Sequence, residues 1–243
     1  MSGYHFTVDL LTKVFPGKSS AGALGLSTSA LIRTGDHTIL FDTGAHGVIK
    51  IIQQSLAELK VRPEDVDTVF LSHLHYDHIN NIAFYPKATV ICGKQEWEYA
   101  ATEKDEWTPL ESLLYLKNNR QVKLVEDNEE IFPGIRALVV PGHTPGQMAL
   151  ALDTEDGVLV LAGDSVKNRS ELMFEYSDQY VDQKASSNSI RRIKNMADIV
   201  LPGHDGYLLI RDGKVIPKEE LDLDIFLPKE GDGNQTKYHL VCR

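Results

Sequence analysis

The chain has 243 residues, 42% hydrophobic and 25% charged, enough apolar material for one substantial core and no bias toward disorder. Its formal net charge of −10, with acids spread along the chain, lacks the basic stripe that a long phosphate backbone requires and argues against a nucleic-acid partner. Two cysteines, Cys92 and Cys242, exclude a disulfide framework, and with no signal-like start and no apolar run of about 18 residues the expectation is a cytoplasmic protein with no membrane partner.

Taken in chain order, the first strong signals are the apolar, β-rich runs Thr28–Arg33 and His37–Phe41. An amphipathic helix follows over Gly47–Lys60, with Val48, Ile51, Ile52, Leu56 and Leu59 at helical spacing. Strands are expected at Asp67–Leu71 and Ala88–Cys92, then a helix over Lys94–Glu103. The acidic stretch Glu126–Glu130 reads as a solvated turn. Beyond it come four more strands, Ile135–Val140, Met148–Leu152, Gly157–Ala162 and Asp198–Leu201. A helix over Ser186–Met196 precedes the last of them, its Arg191, Arg192 and Lys194 forming a solvated face. After Ile216 the chain is charged and punctuated by Pro and Gly, which suggests a surface tail able to contact another subunit of a homodimer. No repeat or linker divides the chain, so residues 1–243 are expected to form one domain. Strand-rich halves with interspersed helices point to two sheets packed face to face and covered by helices, an α/β arrangement of the α+β type.

Four of these runs end alike. DTVFL leads into SHLHYDH, IRALVV into PGHTPG, GVLVLA into GDS and DIVL into PGHDG. Each apolar run stops at a turn and delivers metal-capable side chains: His73, His75, Asp77 and His78, then His143, Asp164 and His204. A site built at one end of a sheet needs this, because strands fix direction and turns expose the side chain. His73 and His75 stand two apart and point the same way on an extended segment. With His143 they offer three imidazoles, the donor set of a catalytic zinc that keeps an open position. Asp77 and His78, past a turn, face a second position that His204 completes. The two oxygens of Asp164 suit a bridge between both. At this chain's His and Asp content the His-x-His-x-Asp-His pattern should arise by chance on the order of once in a thousand such chains. His5, His37, His46 and His239 lack this setting and read as surface or turn residues, with His46 the nearest to a site rim.

These stretches, together with ILFDTG, make the chain resemble the metallo-β-lactamase superfamily, the αββα-sandwich metallohydrolases, from about residue 39 to 206. The resemblance implies a four-layer sandwich of two mixed sheets with helices outside. It implies one metal on His73, His75 and His143, a second on Asp77, His78 and His204, and Asp164 shared. Asp42, in the DTG turn, would orient the ligand loop from behind. Two groups of the superfamily are most similar. The acyl-homoserine-lactone lactonases share the ligand set and the helix before the last histidine; the small animal metallo-β-lactamase-domain proteins of the pre-mRNA-nuclease type share the layout around NIAFYPKATVI and ADIVLPGH. In the lactonase group a tyrosine near the bridging aspartate contacts the lactone. Here Asp164 is followed by Ser165, Val166 and Lys167, and Tyr76, Tyr176 and Tyr180 are the nearby substitutes.

The expected activity is therefore hydrolysis of an ester, lactone or thioester in a small-molecule substrate, by hydroxide held between two divalent ions. Zinc is the expected metal, although iron or manganese also suits His and Asp donors. Asp77, a ligand and also a catalytic group, would take the proton of the attacking water and pass it to the leaving group. A metal-dependent phosphodiesterase or ribonuclease, or a non-catalytic metal-binding protein, is the alternative. Substrate walls are expected from Phe15–Leu26, Trp97–Leu116 and Lys167–Gln183, with Trp107, Tyr115 and Phe174 as apolar wall or core residues.

Overall fold

The computed structural model describes residues 4–20, 22–102, 105–119, 122–228 and 235–243. Two sheets dominate it. The first has six strands in the spatial order Thr7–Leu10, Ala30–Thr34, His37–Phe41, Thr68–Leu71, Thr89–Gly93 and Val122–Val125. Its first two ladders are antiparallel and the other three parallel. The second has seven strands in the order Lys214–Pro217, Leu208–Arg211, Ile199–Pro202, Gly157–Gly163, Met148–Thr154, Ile135–Val139 and Glu130–Phe132. Only its Gly157–Gly163 and Ile199–Pro202 pair is parallel.

The near-continuous apolar character of the central strands has a direct cause: both faces are buried. Alternate residues go to different layers. Ile39 and Phe41, with Phe70 and Ile91, meet Leu150, Leu152, Leu159 and Leu161 between the two sheets. Leu40, Val69, Leu71 and Val90 point the other way, under Ile52, Leu56, Leu113 and Leu116 of the helices Ile49–Glu58 and Leu110–Asn119. On the far side, Ala149, Ala151, Val160 and Ala162 carry Leu172, Ile190 and Ile193 of the helices Arg169–Phe174 and Gln183–Met196. The small alanines on that face let the helices approach closely. Each fully buried Leu or Ile contributes roughly 1.5–3 kcal/mol relative to exposure, so the three layers together specify the sandwich. The result is the αββα order that the family resemblance implies.

Local capping fixes where the helices near the site begin. The Asp182 carboxylate accepts from Ala185 N at 2.9 Å, which starts the last helix at Gln183 rather than Ser186. Asn168 accepts from Ser170 N and Glu171 N at 3.0 and 3.2 Å. Other boundaries differ from expectation for equally local reasons. The first helix opens with the 3₁₀ turn His46–Val48, and its buried stripe is Val48, Ile52 and Leu56, leaving Ile51 exposed. The Lys94 helix ends at Thr102; Glu103 lies outside the described residues. Part of the expected loop Trp97–Leu116 is the helix Leu110–Asn119. The acidic turn is more than a solvated one, because Asp127 accepts from Arg192 at 2.9 Å and from Val139 N at 2.8 Å. The tail after Ile216 completes a sheet strand and then forms a two-stranded ribbon, Leu221–Pro228 with Gln235–Cys242. Among the described residues, no helix is long and apolar enough to cross a membrane.

Candidate metal centre

Past Leu71 the chain leaves its strand and presents His73 and then His75, the latter in extended backbone with φ −70° and ψ 154°. The short helix Tyr76–Ile79 then turns Asp77 and His78 toward a neighbouring point. The turns after Ile135–Val139, Gly157–Gly163 and Ile199–Pro202 bring in His143, Asp164 and His204. One ligand atom from each of His73, His75 and His143 lies within 4.8 Å of the others, and the same holds for Asp77, His78 and His204. Asp164 lies between these two groups. Its Oδ1 is 3.3 Å from His78 Nε2 and 3.4 Å from His204 Nε2, while Oδ2 is 3.5 Å from His143 Nε2. All seven side chains singled out by their position at strand ends thus converge.

The donors fit divalent cations. His73 Nε2, His78 Nε2 and Asp164 Oδ1 are buried and have no hydrogen-bond partner among the described residues, an arrangement that costs free energy unless an ion satisfies them. Burial, together with the neighbouring histidines, holds His73 well below its ordinary pKa, and burial takes His143 down to about 3. Both are therefore neutral imidazoles, the form that binds metal. Burial opposes a charge on His78, yet Asp77, Asp164 and Asp42 around it raise its pKa well above the ordinary value. Likewise Asp164 is held far below the carboxylate range by His204 and His78 despite its burial. Asp164 is thus held as a charged carboxylate by the imidazoles around it.

Behind the donors stands a second layer of polar contacts. Asp42 Oδ2 accepts from His78 Nδ1 and from Ser72 Oγ, each at 2.7 Å, and Oδ1 accepts from Ser72 N at 2.7 Å. Asp42 itself holds a left-handed φ of 55°, which Asp and Asn tolerate better than other side chains. Ser72 Oγ lies 3.0 Å from His73 Nδ1, so one carboxylate steadies two ligand histidines. Two further residues escaped sequence reasoning. Asp105 Oδ2 is 3.2 Å from His75 Nε2, which leaves Nδ1 to face the cluster. Glu96, fully buried, accepts from Leu74 N at 3.0 Å and from Thr144 Oγ1 at 2.6 Å, tying the His73–His75 segment to the His143 turn. In sequence, Asp105 sits in the charged run EKDEW and Glu96 on a helix, and neither position signals a metal site. Close approach also demands glycine: a Cβ at Gly203 would run into Asp164 Oδ1, and one at Gly146 into the Glu96 backbone.

The cluster opens into a cavity of about 560 Å³, a size suited to a small molecule. All three expected wall segments contribute. Residues of the Phe15–Leu26 segment form a flap that contains the short hairpin Lys18–Ser19 with Gly22–Ala23; Ala21 lies outside the described residues. Trp107 lines the cavity and stacks on Tyr76 at 5.9 Å, whereas Tyr115 packs against the core and Phe174 faces solvent away from the cavity. Tyr76 and Tyr180 reach the wall and Tyr176 does not; Lys167 does. His46 is outside the lining, and His37 and His239 pair with Asp67 and Asp224.

A sequence model of the metallo-β-lactamase superfamily matches residues 22–204. The chain is 30% identical over 159 residues to an N-acyl homoserine lactonase of Bacillus cereus, covering 62% of this chain and 60% of that one. It is 31% identical over 186 residues to the metallo-β-lactamase domain-containing protein 1 of Mus musculus, covering 74% and 64%. The chain therefore spans about 60% of the length of the lactonases it matches. In fold it is similar to an N-acyl homoserine lactone hydrolase solved with N-hexanoyl-L-homoserine at its metal centre, with TM-score 0.68, 22% identity, and 84% and 94% of the two chains covered.

Proposed function

This chain belongs to the metallo-β-lactamase superfamily, and from that premise we propose that it is a dinuclear zinc hydrolase of small carboxylic esters, lactones or thioesters. The observation that carries this reading is the convergence of seven metal-capable side chains, with buried donor atoms that have no hydrogen-bond partner among the described residues, at the floor of a 560 Å³ cavity. His73, His75 and His143 would hold one ion; Asp77, His78 and His204 the other; Asp164 would bridge them. When bound, the ions supply a Lewis acid for the carbonyl and lower the pKa of water to about 7. The similarity to N-acyl homoserine lactonases supports an acyl substrate.

The protein's own groups then divide the work. Asp42 and Asp105 orient His78 and His75 through their outer ring nitrogens. Both carboxylates of the set line the cavity, and Asp77 is the more accessible, with a side chain 21% accessible against 5% for Asp164. The Asp77 oxygens are therefore placed to take the proton of the attacking water and return it to the leaving alcohol or thiol. The Trp107–Tyr76 stack gives the substrate an apolar wall beside His75.

The chain acts in the cytoplasm as one domain, since a shared apolar layer joins its sheets, and it acts as a homodimer. Support for a second copy comes from the C-terminal ribbon. Leu223, Ile225 and Leu227, with Tyr238 and Leu240, lie on one face of a two-stranded sheet that is marginal alone.

The test is turnover of an ester and lactone panel, with bis(p-nitrophenyl) phosphate as the contrasting probe. Acyl turnover that is lost in both His75→Ala and Asp164→Ala supports the reading. Turnover confined to the phosphodiester, or surviving both substitutions, overturns it.

A further inference from the structure

Three consecutive hydroxyls, all buried, stand where the flap re-enters the body of the fold, just before the strand Ala30–Thr34. Each donates to a main-chain carbonyl in a different turn. Ser27 Oγ reaches the carbonyl of Asp77 at 2.5 Å, Thr28 Oγ1 that of Pro202 at 2.6 Å, and Ser29 Oγ that of Asp42 at 2.8 Å. Thr28 N adds a bond to the Gly203 carbonyl at 2.7 Å. Alternate side chains of a chain entering a strand take opposite sides. Accordingly, Ser27 and Ser29 reach turns of the six-stranded sheet, while Thr28 reaches a turn of the seven-stranded one.

The segment is itself braced. Thr12 Oγ1 donates to the Ser27 carbonyl at 2.7 Å and accepts from Ser29 N at 3.1 Å, and Leu11 N donates to the Ser29 carbonyl at 2.8 Å. Removing such a buried hydroxyl is costly, because the carbonyl it served is left unpaired.

These contacts converge on one of the two candidate metal positions. The Asp77 carbonyl belongs to the peptide that joins Asp77 to His78, so Ser27 fixes the plane between two ligands. The Pro202 and Gly203 carbonyls belong to the two peptides that precede His204, and Thr28 fixes both. The other position has separate supports: Glu96 ties the His73–His75 segment to the His143 turn, and Asp105 meets His75. Ser29 is less selective, since Asp42 holds His78 directly and reaches His73 through Ser72.

We propose that Ser27 and Thr28 are positioning residues for the ion on Asp77, His78 and His204, and set its affinity independently of the ion on His73, His75 and His143. The proposal rests on the two-metal hydrolase reading and distinguishes its two ions by what holds each in place.

The experiment is a calorimetric titration of zinc into the metal-free protein. Thr28→Val keeps the branched shape without the hydroxyl, and Ser27→Ala removes the other. Each should weaken one binding step at least about tenfold and leave the other as in the wild type, and Thr28→Ser should restore most of the loss. Double variants assign the step. Combined with His75→Ala, either substitution should weaken the ion that remains; combined with His204→Ala, it should have no effect. Circular dichroism selects the variants that fold, and Ser27→Ala decides if Thr28→Val does not. Unchanged affinities overturn the proposal. So does weakening of both steps, or an equal effect in both backgrounds, which a general loss of packing would produce. A wild type that binds one ion sinks the two-metal reading and this proposal with it. A wild type that binds two without hydrolysing any ester sinks only the hydrolase reading, and the binding steps still decide the role of Ser27 and Thr28.

Discussion

The Asp42 carboxylate accepts the Nδ1–H of His78 at 2.7 Å, with both side chains completely buried. Because the carboxylate can only accept, it fixes the tautomer of His78 and turns Nε2, which has no hydrogen-bond partner among the described residues, toward Asp77 and Asp164. The Asp42→Asn variant keeps the shape and tolerates the left-handed backbone, but its amide can hold the imidazole in the wrong tautomer. Metal affinity should fall about 10- to 100-fold, measured by competition with a chelator, while circular dichroism stays native. Unchanged affinity would show that Asp42 is a plain turn residue.

Asp105 does for His75 what Asp42 does for His78, from a loop rather than a strand end. It also accepts from Trp107 N at 3.1 Å and Thr108 Oγ1 at 2.9 Å, so it couples the ligand to the apolar wall. Asp105→Ala should weaken metal binding about tenfold and raise KM for an aryl ester as Trp107 loses its support. A rise in KM with intact metal affinity would assign Asp105 to the wall alone.

Glu96 links stability to pH. Burial pushes its carboxyl up to about 7, against the hydrogen bonds from Thr144 and Leu74, from an ordinary value of 4.5. A folded pKa above the unfolded one means that the native state binds the proton more tightly. The contribution is therefore fully present below about 4.5 and is lost as pH rises through about 7, a change of roughly 3 kcal/mol. Denaturant midpoints should fall between pH 5 and pH 8 in the wild type, and the fall should be smaller in Glu96→Gln. Equal slopes in the two proteins would contradict this.

The C-terminal ribbon carries the oligomer prediction. Ile225 pairs across the ladder with Tyr238, which is 50% exposed, on the apolar face. Light scattering behind size exclusion should report a dimer for the wild type and a monomer for Ile225→Asp. A monomeric wild type at micromolar concentration would remove the ribbon's role.

Much of this was legible in the sequence because burial on both faces writes a continuous apolar run, as in Gly157–Gly163 and Met148–Thr154. The ligands were legible for a related reason: the first of each group follows its apolar run by two or three residues, His73 after Leu71, His143 after Val140, Asp164 after Ala162 and His204 after Leu201. Strands with one face in water carry a weaker signature. Thr7–Leu10, Glu130–Phe132 and the ribbon strand Leu221–Pro228 mix acids with apolar residues, and their pairing partners lie elsewhere in the chain. Glu96 and the ligand-orienting role of Asp105 were not legible. Those roles come from neighbours 22 to 48 residues distant, His75 for Asp105 and Leu74 and Thr144 for Glu96, and no local pattern encodes such contacts.

The central claim is a two-metal centre built from His73, His75, Asp77, His78, His143, Asp164 and His204. The most direct test is elemental analysis of the purified protein, wild type beside His75→Ala and His204→Ala. The account predicts about two zinc ions per chain, with each variant depleted chiefly at its own site and keeping close to one. A wild type that holds a single ion, or variants that lose none, would contradict it.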